Sequence, residues 1–76
     1  MDTTSIEQMI RTGLPDATVS VSGDDGVHFE AHVICPSFSG KSTLQRHRLV
    51  YATLGKFMGN EIHALGLRTE TPEEVN

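Results

Sequence analysis

The run ATVSVSGDDGVHFEAHVIC, residues 17–35, decides the fold. Ala17, Val19 and Val21 alternate with Thr18, Ser20 and Ser22, the two-residue period of a strand with one buried face. Gly23-Asp24-Asp25-Gly26 then interrupts the period with residues that permit reversed backbone or cap it with a short carboxylate. The chain is therefore expected to return on itself as an antiparallel hairpin. From Val27 to Cys35 the alternation resumes, with Val27, Phe29, Ala31, Val33 and Cys35 on one face and His28, Glu30, His32 and Ile34 on the other. The first set is the expected core face, which leaves His28 pointing away from the core.

Outward from the hairpin the period changes from two to 3.6. Upstream, Thr4 and Glu7 have the spacing of a capping box, and Ile6, Met9, Ile10 and Leu14 recur as one face of a helix that should end near Gly13. Downstream, Pro36-Ser37-Phe38-Ser39-Gly40 reads as an ordered connection anchored by Phe38. Leu44, His47, Val50, Tyr51, Leu54, Phe57 and Met58 then predict a long second helix ending near Gly59-Asn60, with Arg46 and Lys56 on its more exposed arcs. Ile62 to Thr69 predicts a third strand, in which His63, Leu65 and Leu67 point one way and Ile62, Ala64 and Gly66 the other. Thr71-Pro72-Glu73-Glu74 combines an N-cap, a proline at the first helical position and a reciprocal carboxylate, the start of a short last helix. The order α-β-β-α-β-α implies an α+β fold, a three-stranded sheet with helices packed on one face, forming a single domain over residues 1–76.

Composition narrows the function classes. With 76 residues, one modest core is the expectation, and with a single cysteine, Cys35, no internal disulfide can staple it. Neither a signal-like start nor a run of roughly 20 apolar residues is present, so the expected location is the cytoplasm, with no membrane partner. The net charge of −4 argues against indiscriminate attraction to nucleic acid. That charge is segregated, since Lys41, Arg46, Arg48 and Lys56 occupy a stretch with no acid, while all 10 acidic residues lie outside it.

The histidines His28, His32, His47 and His63 are the candidate ligands or catalysts, although their spacing matches no zinc pattern and Cys35 has no cysteine neighbour. On residue type alone, the ordinary reading of His63, and likewise of His28, is a structural histidine satisfied by backbone. No nucleophile elbow or triad signature is present, and Gly23, Gly26 and Gly40 are too sparse for a phosphate-cradling loop, so an enzyme is not expected. Cys35, on the apolar face of its strand, reads as packing. Arg46-His47-Arg48 suits either a solvated or protein-docking face or phosphate contacts.

The string Phe38-Ser39-Gly40-Lys41-Ser42-Thr43-Leu44-Gln45-Arg46-His47-Arg48-Leu49-Val50-Tyr51 closely resembles the central signature of BolA-like proteins. The likeness continues through Leu54, Ile62-His63-Ala64-Leu65 and Thr71-Pro72-Glu73-Glu74, and His28-Phe29 after the turn also matches. Val75 departs from it, standing where many relatives carry tryptophan. The resemblance implies a KH-like (BolA-like) topology. It also implies an adaptor that pairs with a monothiol glutaredoxin and shares a [2Fe-2S] cluster with it and with glutathione, in iron-sulfur trafficking or iron sensing. The isolated chain, a monomer or weak homodimer, is then expected to hold no cluster. His63 takes the place of the family's histidine ligand. For the second ligand, Asp25 sits where some members have cysteine, but carboxylate is a harder donor, and His28 just beyond the turn is the preferred substitute. The basic set Lys41, Arg46, His47 and Arg48 would dock the partner. The alternative is a transcriptional regulator of a stress or morphology response that binds DNA through the same helix. Against that alternative, the one Gly-X-X-Gly string, Gly23-Asp24-Asp25-Gly26, carries two acids that repel phosphate.

Overall fold

The alternating run folds as the hairpin its pattern predicts. In the computed structural model, which describes Met1–Val75, β1 (Thr18–Ser22) and β2 (His28–Ile34) pair antiparallel, with Val19 opposite Val33 and Ser22 opposite Glu30. β3 (Ala64–Glu70) lies parallel to β2 on its other side, so the sheet order is β1-β2-β3. A parallel neighbour cannot be reached through a tight turn, and α2 (Thr43–Leu54) makes the crossover. Short 3-10 turns at Pro36–Phe38 and Gly55–Phe57 lead into and out of α2.

α1 (Thr3–Gly13) and α2 pack against each other and against the sheet. Ile6 and Ile10 from α1 and Val50 and Leu54 from α2 meet Val19, Phe29, Ala31, Val33 and Leu65 in one core, closed at its margin by Cys35, Phe38 and Ile62. The opposite face of the sheet has no helix over it and carries Ser20, Ser22, Glu30, Gly66 and Arg68 in contact with solvent. The chain closes with α3 (Pro72–Val75), whose capping box is formed: the Glu74 carboxylate accepts from Thr71 N at 2.9 Å, and the Thr71 hydroxyl accepts from Glu74 N at 3.3 Å.

Four local expectations are corrected. α1 begins two residues earlier than the Thr4/Glu7 pattern suggests, because the Asp2 carboxylate accepts from Ser5 N at 2.8 Å and acts as the N-cap. α2 is capped by the reciprocal Ser42/Gln45 pair and ends as an α-helix at Leu54 rather than near Gly59-Asn60. There Gly55 takes a positive φ of 52°, and the chain tightens into a 3-10 turn. Around α2 itself, Leu44 is 59% exposed and Arg46 is drawn inward, with only 12% of its side chain exposed. The helical wheel accounts for both, since Leu44 is about 120° from Val50 while Arg46 is about 40° from it.

The fourth correction concerns the approach to β3. Ile62 is fully buried while His63 is exposed, and the strand begins only at Ala64. Val27 O accepts from both His63 N (3.1 Å) and Ala64 N (3.5 Å), so two consecutive amides converge on one carbonyl. Strict alternation fails at that bend, which lets Ile62 and Leu65 both turn inward and puts His63 outside.

Candidate functional site

The parallel pairing of β2 with β3 places the starts of both strands side by side. His28 opens β2 and is in register with Ala64, the first residue of β3, so His63 stands one residue before His28's direct neighbour. Both imidazoles are presented at this one end of the sheet. The His63 ring is exposed and makes no hydrogen bond among the described residues, its backbone amide alone being tied to Val27.

His28 is held differently. Its side chain is 64% exposed, and its Nδ1 lies 2.6 Å from Asp25 Oδ2. The other carboxylate oxygen, Oδ1, accepts from Val27 N at 3.0 Å and from His28 N at 2.8 Å. Gly26, between them, supplies the positive φ of 80° that the turn needs. These contacts hold the Asp25 carboxyl far below the usual carboxylate range. The largest cause is the His28 backbone amide, followed by the Val27 amide and the His28 ring. Asp25, with both oxygens engaged, thus buttresses His28, and His28 Nε2 has no partner among the described residues.

The other two histidines are committed elsewhere. His32 Nε2 lies 2.6 Å from Glu70 Oε1 on the open face of the sheet, and Arg68 shares that oxygen at 3.0 Å. His47 is half-buried and meets Tyr51 edge to face, with ring centroids 6.4 Å apart. Cys35 is buried as its strand position suggests. Among the described residues no group of three or more His, Cys, Asp and Glu side chains is gathered around a single metal position.

The basic set does not form one surface with the histidines. Arg46 donates from Nε to Lys41 O at 3.0 Å and from Nη1 to Thr69 O at 3.4 Å, and it grips both Glu74 oxygens at 2.6 and 3.0 Å. Its guanidinium also lies over the Phe38 ring, 5.9 Å from the centroid. Arg46 therefore ties together the ends of β3, α3 and the loop before α2, with four of its five N–H donors engaged within the fold. Thr69 is near the far end of β3, so Lys41 sits roughly 20 Å along the sheet from His63 at about 3.3 Å per residue. Lys41 and Arg48 are both exposed.

Lys56 lies in the turn whose Phe57 O accepts from Ile62 N at 3.0 Å, which brings that turn back beside the residue before His63. Sequence reading placed Lys56 on a helical arc and gave it no role. Its proximity to His63 depends on how the 3-10 turn folds back, for which the sequence carries no signal. Asp25's engagement with His28 could have been found, since an aspartate two or three residues before an amide that opens a strand is the pattern of an Asx turn.

A family model described as BolA-like protein matches residues 11–74. A solved structure, a BolA protein homologue from Coxiella burnetii, superposes with a TM-score of 0.88 at 53% identity, covering 99% of this chain and 96% of that one. BolA-like protein 1 of Homo sapiens is 34% identical over 82 residues, which takes in 91% of this chain and 60% of the human protein. SufE-like protein 1 of Arabidopsis thaliana, named chloroplastic/mitochondrial, is 42% identical over 55 residues, 71% of this chain but 15% of that protein. The chain thus spans less than two thirds of either of these longer relatives. No helix among the described residues is long and apolar enough to cross a membrane.

Proposed function

The chain belongs to the BolA-like protein family, and from that premise we propose that it is a non-enzymatic adaptor that shares a [2Fe-2S] cluster with a monothiol glutaredoxin. The cluster is the cargo, in iron-sulfur trafficking or iron sensing. One observation carries the reading: His63, at the family's histidine position, is an exposed imidazole with no competing hydrogen bond, beside a second exposed imidazole on the neighbouring strand start.

The donor chemistry fits. Neutral imidazole is a borderline ligand suited to iron, and clusters with two histidines in place of two cysteines are an established type. The only thiol of this chain, Cys35, is buried in the core, so the thiolates in this reading come from the glutaredoxin cysteine and from glutathione. Two imidazoles from one protein and two thiolates from the other side complete the four terminal positions of the cluster. Such a division makes the complex, and not the isolated chain, the cluster-holding species. Lys56, in the turn whose Phe57 O accepts from Ile62 N, would meet the partner near His63, while Lys41 lies toward the other end of β3.

The test is to titrate the chain into a cluster-loaded monothiol glutaredoxin under anaerobic conditions and to follow visible circular dichroism. The wild-type chain is expected to change the spectrum in a saturable way, and His63→Ala to abolish most of that change. An identical response from His63→Ala would remove His63 from the role and overturn the proposal.

A further inference from the structure

The turn before β2 does more than reverse the chain, because it determines which nitrogen of His28 is offered to a ligand. We infer that Asp25 is a positioning residue that fixes the neutral His28 ring in the tautomer protonated at Nδ1, leaving the lone pair on the exposed Nε2. The inference rests on the proposed function only for the identity of the ligand, a borderline metal centre such as iron. The tautomer itself follows from the hydrogen bonds.

The Asp25 carboxylate is an acceptor without a proton of its own to give, so a nitrogen 2.6 Å from Oδ2 must carry the hydrogen. An imidazole with no such partner prefers neither the geometry nor the proton position that this pairing imposes. Here the carboxylate is itself immobilised, because Oδ1 is held by the Val27 and His28 amides and cannot swing away. The ring is thereby oriented as well as protonated on a chosen side, the arrangement by which carboxylates commonly prepare metal-binding histidines. His63 has no equivalent, since its ring has no partner among the described residues. The two imidazoles therefore differ in kind, one pre-set and one free to adapt. The aspartate at this turn acts on the second donor rather than replacing it.

Asp25→Asn provides a clean test. The amide oxygen can still accept from the two backbone amides and keep the turn, but the amide nitrogen then faces His28 Nδ1 and donates to it, forcing the ring hydrogen onto Nε2. Long-range nitrogen–proton NMR correlation on the 15N-labelled apo chain, at a pH where the rings are neutral, reads the tautomer without any metal. The wild type is expected to show His28 protonated at Nδ1 and unprotonated at Nε2, and Asp25→Asn to invert that pattern while the fold's amide spectrum is retained. Should Asp25→Asn fail to fold, the wild-type spectrum decides alone: His28 protonated at Nε2 overturns the inference. In the glutaredoxin titration, Asp25→Asn should weaken the cluster-dependent response by roughly 10–100-fold. An inverted tautomer with an unchanged response would leave Asp25's control of the ring established and remove His28 from the cluster, whatever His63→Ala shows. The two readings thus fail separately.

Discussion

The two ends of the sheet treat their polar groups in opposite ways. At the end where β3 finishes, Arg46 is engaged internally: the guanidinium grips Glu74, caps the Thr69 and Lys41 carbonyls and covers Phe38. At the end where β2 and β3 begin, the His63 ring and His28 Nε2 face solvent with no hydrogen-bond partner among the described residues. Charge in the sequence is thus a poor guide to which polar groups are left unpaired among the described residues. The conspicuous cation of the basic helix serves the fold, and two exposed imidazoles at the opposite end keep nitrogens unengaged among the described residues.

That contrast breaks most visibly if the Phe38–Arg46 end is damaged. Phe38 is fully buried, so Phe38→Ala should cost about 3–5 kcal/mol by urea unfolding. Against a total of roughly 4–11 kcal/mol for a domain of this length, the variant should be close to unfolding at ambient temperature. A loss below about 1 kcal/mol would show that this end is not the anchor.

Acid provides a gentler probe of the same end. Glu74's carboxyl is held down to about 2, chiefly by its hydrogen bonds from the Arg46 side chain and next by the Thr71 amide. A group whose folded-state pKa is depressed stabilises the fold fully above its unfolded value, ordinarily 4.5, and loses that contribution as pH falls through the folded value. The urea midpoint of the wild type should therefore drop between about pH 4.5 and 2. Glu74→Gln should start lower at neutral pH and fall less over that window. Asp25, depressed in the same direction, keeps some acid sensitivity in the variant. Parallel profiles for the two proteins would mean that the Arg46–Glu74 pair contributes nothing. Its partial exposure and solvent screening keep this effect well below that of Phe38.

The smallest expected change in stability sharpens the other side of the comparison. His63→Ala should alter the unfolding free energy by no more than about 0.5 kcal/mol, since the ring is exposed and bonded to nothing within the described fold. A larger loss would assign His63 a structural role and weaken the case for it as a ligand.

Much of this architecture is legible in the sequence because it rests on local periods. The alternation through Val19, Val21, Phe29, Ala31 and Val33 and the helical spacing of Ile6 with Ile10 and Val50 with Leu54 each declare an element and its buried face. What the sequence hides depends on partners distant along the chain. Arg46 sits near the inward arc of α2, but the carboxylate that pairs with it there is Glu74, 28 residues later. His63 leaves the face it was expected to share with Leu65 and Leu67 because Val27 O, in the turn just before β2, captures two successive amides. The candidate site was therefore half visible: His63 and His28 could be named from residue type, position and resemblance. The job of Asp25 and the separation of the histidines from Lys41 needed coordinates.

The central claim is that imidazole nitrogen from this chain reaches the iron of a shared cluster. Pulsed electron paramagnetic resonance on the reduced complex, with only this chain labelled with 15N, reads that contact directly. Strong nitrogen couplings that carry the 15N signature and disappear in His63→Ala are the predicted result. A complex that forms and holds its cluster but shows no coupling from the labelled chain would contradict the account.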